Sequence, residues 1–303
     1  MYKKILIPLD GSEAAENVLP YARAFAKRLA LPVDLLEVVD FTELARSVSA
    51  EDSLFFDRLV KDEAHRSGDY LAGISQGFSG IAARCLVKQG SAADIIVEMA
   101  AAEKDTLIMM ATHGRSGLNR FFLGSVTEKV LRATSSPLLV VSVKERAAAG
   151  GETDFKSLVV PLDGSELAES VMPSVVALAK QLDLEVILFR AYAVPYGAYT
   201  AGEGFYDPVN LEGFLARLRE ETIDYLENKA AELKRKGIEK VSYLAKEGLS
   251  ADEIIKFARA TPDNLIAMCS HGYSGVKRWV LGSVTETVVR HCGDPVLVLR
   301  AGT

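Results

Sequence analysis

The chain of 303 residues is 49% hydrophobic and 25% charged, an ordinary globular balance at a length that holds two domains. This excludes a largely disordered chain, a collagen-like repeat and a disulfide-dense scaffold. The net charge of −6, split as −1 over residues 1–147 and −5 over 148–303, gives neither half the electrostatic footprint of a nucleic-acid binder.

In chain order, Met1-Tyr2-Lys3-Lys4 leads into the apolar run 5–9, which is too short for the core of a signal peptide and is closed by Asp10. Residues 4–9 read as a strand. Residues 13–29 have helical periodicity, with Ala14, Val18, Tyr21, Ala22 and Phe25 on one face. Then come a strand at 33–39, a helix at 54–76, a strand at 81–87, a helix at 92–102 and a strand at 106–111. A glycine-containing loop over 112–125 precedes a helix from about 126 to 133 and a last strand at 137–143. No stretch of about 18 apolar residues occurs, so no membrane insertion is expected. The three cysteines, Cys85, Cys269 and Cys292, form no CxxC pair. They suit a reducing, cytoplasmic setting and give no zinc or disulfide framework.

The same order then recurs. Residues 5–13 read ILIPLDGSE and residues 158–166 read LVVPLDGSE. Residues 113–132, HGRSGLNRFFLGSVTEKVLR, return as HGYSGVKRWVLGSVTETVVR over 271–290, identical at 13 of 20 positions. A repeat of this length is a domain. The expected division is 1–147, a small-residue linker at 148–155, and 156–303. Continuous apolar runs such as Leu107-Ile108-Met109-Met110 suit strands covered on both faces. The expected fold class is therefore α/β: two repeated doubly wound, Rossmann-like domains, each a five-stranded parallel sheet flanked by helices. Met109, Met110 and Met268 then belong to strand cores.

Ligands of such sheets bind beyond the carboxyl ends of the strands, at the switch point. Asp10-Gly11-Ser12, the end of the second strand near Val38, and the loop 112–125 converge there, as do Asp163-Gly164-Ser165, Ala191 and the loop 270–283. Gly114 and Gly117 allow close approach of backbone to a ligand. Gly124-Ser125 and Gly282-Ser283 open helices whose N-termini favour phosphate, with Ser125, Thr127, Ser283 and Thr285 as hydroxyl donors and Arg120 and Arg278 near added negative charge. A second reading stands beside this one. Ser125-Val-Thr-Glu128 and Ser283-Val-Thr-Glu286 also fit a capping box, and Asp10 and Asp163 fit a helix cap as well as a ribose or metal contact. His113 and His271 have no partner in a nucleophile motif, which favours a loop-fixing hydrogen bond over catalysis. Tyr192, Tyr196, Tyr199, Phe205 and Tyr206 fit either a lid or a packed loop. There is no GxxxxGK[ST], GxGxxG after a strand, HExxH or GxSxG.

With these blocks the chain resembles a tandem universal stress protein, two such domains covering nearly all of it. The family's nucleotide-binding variants carry Gly, two residues, Gly, nine residues, then Gly-Ser or Gly-Thr. Gly114 with Gly124-Ser125, and Gly272 with Gly282-Ser283, match its later elements, while Ala111 and Cys269 replace its first glycine. The resemblance implies an adenine nucleotide, usually ATP or else ADP or AMP, often with magnesium. It assigns Pro8, Leu9, Asp10 and Val38 to adenine and ribose, and Ala111, Gly114, Gly124, Ser125, Val126 and Thr127 to ribose and phosphates. In the second half it assigns Pro161, Leu162, Asp163, Ala191, Cys269, Gly272, Gly282, Ser283, Val284 and Thr285. It also implies internal pairing of the two domains through their last strands, with a further homodimer. The function it implies is that of an ATP-binding stress-response regulator or chaperone-like factor with at most slow hydrolysis. The rivals are a nucleotide-free interaction module and an enzyme that cleaves or transfers an adenine nucleotide. Because Cys269 adds bulk and the second half is more negative, the first site is expected to bind ATP more tightly.

Overall fold

The computed structural model describes residues 2–40, 53–113, 123–142, 155–193, 208–261, 263–270 and 281–300, with backbone alone at 53–57 and 208–211. Gly114, Gly117, Arg120, His271, Gly272, Gly275, Arg278, residues 148–154 of the expected linker and the aromatics Tyr196, Tyr199, Phe205 and Tyr206 lie outside these residues.

The first half runs β1 (Lys4–Leu9), α1 (Glu13–Glu16), α2 (Leu19–Leu29), β2 (Val33–Val39), α3 (Ser53–Ser75), β3 (Ala83–Gln89), α4 (Ala92–Ala102), β4 (Thr106–Ala111), α5 (Ser125–Ala133) and β5 (Leu138–Val141). The second runs β6 (Ser157–Pro161), α6 (Glu166–Glu169), α7 (Met172–Leu182), β7 (Glu185–Tyr192), α8 (Pro208–Arg235), β8 (Val241–Glu247), α9 (Ser250–Ala260), β9 (Asn264–Cys269), α10 (Ser283–His291) and β10 (Val296–Leu299). The strands form one ten-stranded sheet in the order β3-β2-β1-β4-β5-β10-β9-β6-β7-β8. Each half is parallel, and the halves meet where β5 and β10 pair antiparallel, Leu139 opposite Leu297 and Val140 opposite Val296. In each half the chain order reverses beside the first strand, so β1/β4 and β6/β9 are the switch points.

The central strands β1, β4, β5, β9 and β10 are buried almost throughout, as their unbroken apolar runs require. One core layer, holding Phe25, Leu35, Leu71 and Leu139 with Leu178, Leu226 and Leu297, lies under α2, α3, α7 and α8. The opposite layer, holding Leu6, Ile96, Val130 and Val140 with Ile254, Val288 and Val296, lies under α4, α5, α9 and α10. Both layers are continuous across the seam. The outermost strand β3 turns Arg84, Cys85, Lys88 and Gln89 to solvent, a polar edge that resists further pairing.

The single helix expected over 13–29 is two helices. Pro20 stands in the first turn of α2, where its missing N–H costs nothing, but it could not serve a helix continued from residue 13. Asn17 closes α1, its Nδ2 donating to the Glu13 and Ala14 carbonyls. Pro173 breaks α6 from α7 in the same way, and Ser170 Oγ donates to the Leu167 carbonyl.

Candidate functional site

The carboxyl edge of each half-sheet is assembled from two turns. After β1, Asp10 Oδ1 accepts from the Ser12 N–H at 3.1 Å and from its hydroxyl at 2.6 Å, and Ser12 Oγ accepts from the Ala15 N–H. After β6, Asp163 and Ser165 repeat the arrangement at 2.9 and 2.6 Å. The first-turn caps are therefore Ser12 and Ser165, with the aspartates bracing them. Gly11 and Gly164 hold φ of +76° and +88°, which L side chains rarely adopt.

The second turn follows β4. The Gly124 N–H donates to the Thr112 carbonyl at 2.7 Å, tying the start of α5 to the strand end. A Cβ on Gly124 would lie 3.0 Å from that carbonyl oxygen, so glycine is needed here for close approach rather than for an unusual φ. Gly282 bonds Ser270 likewise at 2.8 Å. Gly124 and Gly282 are themselves the N-caps of α5 and α10, and neither helix has a side-chain cap. The capping-box alternative is thereby overturned. Ser125 and Ser283 are first helical residues, one position too late to cap, and Glu128 and Glu286 bond arginines instead. The first N–H bonded back into each helix is that of Glu128 or Glu286. The three amides before it, from Ser125 to Thr127 and from Ser283 to Thr285, are the orphan donors of a helix start.

One expected donor is spent internally. Thr127 Oγ1 donates to the Ala111 carbonyl at 2.9 Å and Thr285 Oγ1 to the Cys269 carbonyl at 2.8 Å, so these buried hydroxyls lock helix to strand. His113 Nδ1 lies 3.0 Å from Thr112 Oγ1, a loop-fixing contact.

Two clefts lie at these edges. The first, of about 520 Å³, is lined by Pro8, Leu9, Asp10, Val38, Ala111, Gly124, Ser125, Val126 and Thr127. The second, of about 340 Å³, is lined by Pro161, Leu162, Asp163, Ala191, Cys269, Gly282, Ser283, Val284 and Thr285. Every candidate residue within the described part of the chain thus lines a cleft. Sequence reasoning missed the walls: Leu36, Glu37, Asp40, Glu63, Ala92 and Ile96 in the first, and Phe189, Ser250, Ile254 and Met268 in the second. Leu36, Glu37 and Phe189 are set there by the register of β2 and β7 against the first strand of each half, and most of the others by the helices α3, α4 and α9 that cross over the sheet. Cys269 is turned toward Ser170, sulfur to hydroxyl 3.7 Å.

Tyr70 and Tyr225 occupy equivalent places behind the two turns, donating to Glu16 at 3.0 Å and Glu169 at 2.7 Å. Burial and these carboxylates push both phenols well above their ordinary range, so both stay protonated donors. Among the described residues no group of three or more His, Cys, Asp or Glu side chains could hold a metal ion, and no helix is long and apolar enough to cross a membrane.

The comparisons agree with the repeat. The profile described as "Universal stress protein family" matches residues 1–142 and again 154–300. Universal stress protein MJ0531 of Methanocaldococcus jannaschii is 34% identical over 142 residues, 46% of this chain and 82% of that protein. MJ0577 of the same organism is 31% identical over 159 residues, 48% of this chain and 97% of its own. The crystal structure of a universal stress protein from Archaeoglobus fulgidus superposes over 100% of both chains with a TM-score of 0.72 at 21% identity, a likeness of fold.

Proposed function

This chain belongs to the universal stress protein family, and from that premise we propose that it binds an adenine nucleotide, ATP foremost, in one or both clefts and acts as a nucleotide-dependent stress-response regulator. The observation that carries this reading is the pair of uncapped helix starts. Three backbone amides at the N-terminus of α5, and three at that of α10, border a cleft at the switch point of a parallel sheet. Such a terminus offers N–H donors and a partial positive charge to phosphate oxygens. The apolar walls, Leu9, Val38 and Ile96 in one cleft and Leu162, Ala191 and Ile254 in the other, suit the flat face of a base. Asp10 and Asp163 follow the first strand of each half and line the two clefts, a position that suits hydrogen bonds to the base or sugar.

No side chain among these is placed as a general base, so the reading is of binding, with hydrolysis at most slow. Magnesium finds no set of protein ligands among the described residues.

The test is direct. The purified protein is denatured and the supernatant chromatographed, and the stripped protein is titrated with ATP by calorimetry. Released adenine nucleotide, or micromolar ATP binding that Gly124→Val and Gly282→Val together abolish, supports the reading. No nucleotide released and no heat of ATP binding leaves the interaction module as the account of the chain.

A further inference from the structure

The two clefts have the same frame but opposite charge at one matched position. In the first half Pro8 pairs with Leu36 and Leu9 with Glu37. In the second Pro161, the counterpart of Pro8, pairs with Phe189, so the next residue along the strand, Arg190, is the counterpart of Glu37. Glu37 is buried and lines the first cleft together with Asp10, Asp40, Glu63 and His113. Glu63 is paired with Arg66 on its own helix. Among the described residues, the second cleft has Asp163 as the one charged side chain in its lining. Arg190 lies immediately behind it. Its guanidinium carbon stands 4.7 Å from the centre of the Tyr225 ring, and its Nη2 is 3.2 Å from where a Cβ on Gly164 would be, against the turn that carries Asp163. No carboxylate among the described residues forms an ion pair with it, and its guanidinium packs on the tyrosine face.

We propose that Arg190 makes the second cleft the polyphosphate site of the chain, and that Glu37 restricts the first cleft to nucleotides of lower charge, such as a nucleoside monophosphate. This rests on the nucleotide reading above and deepens it. The frame of backbone amides is common to both clefts and cannot discriminate between them. A change from carboxylate to guanidinium is a difference of two unit charges between the wall of the first cleft and the ground just behind the turn that borders the second, in a half-buried setting where screening is weak. A triphosphate carries roughly twice the negative charge of a monophosphate and feels that difference roughly twice as strongly. The ranking expected from the sequence is thereby reversed. Its steric premise was the bulk of Cys269, whose sulfur is turned to Ser170. Its electrostatic premise was the charge of the whole half, which is more distant and more screened than Arg190.

The test is calorimetric titration of the stripped full-length protein with ATP and, separately, AMP, in the wild type and in Arg190→Glu, Arg190→Lys and Glu37→Arg, with folding followed by circular dichroism. Arg190→Glu should weaken the tightest ATP phase at least about tenfold, about 1.4 kcal/mol, and the same phase for AMP about threefold. Arg190→Lys should restore most of the loss. Glu37→Arg should tighten the weaker ATP phase, a gain that a damaged fold cannot produce. Three results would overturn the proposal: ATP affinities unchanged in a folded Arg190→Glu protein, ATP and AMP weakened equally, or no tightening in Glu37→Arg. Absence of any ATP binding to the wild type would instead sink the nucleotide reading itself, and this proposal with it.

Discussion

At the scale of single residues, the site depends on small groups held by backbone contacts. A Cβ on Gly124 would sit 3.0 Å from the Thr112 carbonyl oxygen, a tight contact that a branched side chain would worsen. Gly124→Val should push the start of α5 off the strand end and lower ATP affinity at the first cleft at least about tenfold by calorimetry, about 1.4 kcal/mol. A second cluster acts on stability alone. Asp34, buried, accepts from Lys4 Nζ at 3.1 Å and from Arg84 at 2.8 and 2.7 Å. Desolvation pushes the Asp34 carboxyl up, but the bonds from Arg84 and Lys4 outweigh it and hold the carboxyl below the ordinary carboxylate value. A carboxyl depressed in the folded state contributes stability that is present above its unfolded value near 3.8 and is lost as pH falls through the lower folded value. Unfolding free energy measured by urea titration should therefore fall more steeply below about pH 4 in the wild type than in Asp34→Asn. At pH 7 the variant, which leaves buried Lys4 with Glu103 as its carboxylate partner and removes two charge-assisted bonds to Arg84, should be about 2 kcal/mol less stable.

At the scale of elements, α5 and α10 are cross-tied. Arg132 reaches Glu128 on its own helix at 3.1 Å and Glu286 on the other at 3.4 Å, and Arg290 reaches Glu286 at 2.8 Å and Glu128 at 3.4 Å. These groups are part-exposed, and such pairs are worth only about 0.5 kcal/mol each. The double change Glu128→Gln and Glu286→Gln should cost no more than about 2 kcal/mol, and the loss should shrink as salt is raised. Arg300 acts differently. From the end of β10 it donates to the Leu131, Arg132 and Thr134 carbonyls, satisfying the last turn of α5 in the other half. Arg300→Ala should cost about 2 kcal/mol, insensitive to salt, because it strands half-buried acceptors. The helices also show how far local signals carry. The glycine-serine step and the 3.6-residue spacing placed α5 within one residue. The proline that splits residues 13–29 was legible too, but a continuous apolar face concealed the break, since α1 and α2 bury the same side against the same layer.

At the scale of the whole molecule, the seam decides the architecture. β5 and β10 would each be an apolar sheet edge, and pairing them removes both. On one face Phe155 adds ring contacts with Tyr21 and Phe25 at 5.7 and 5.6 Å. Val140→Asp places a carboxylate in that seam, where Val140 is 1% exposed. It should cost about 4 kcal/mol or more and replace a single thermal transition by two, as the halves lose their shared sheet. A single transition with an unchanged midpoint would mean that the seam adds nothing to cooperativity.

The sequence alone determined the repeat, the alternation of strand and helix, and the residues at the first-strand and fourth-strand ends. Those features are local. Apolar runs, glycines and prolines act on their own backbone, and duplicated motifs declare themselves wherever the halves sit. Only the tertiary structure decided what depends on register between distant strands. It set Glu37 and Arg190 at the same place behind two similar turns, turned the Cys269 sulfur toward Ser170, and spent the Thr127 hydroxyl on the Ala111 carbonyl. It also brought Arg300 to a helix more than 160 residues away in the chain. A side chain's partner is set by which strands lie side by side, and no spacing along the chain encodes that.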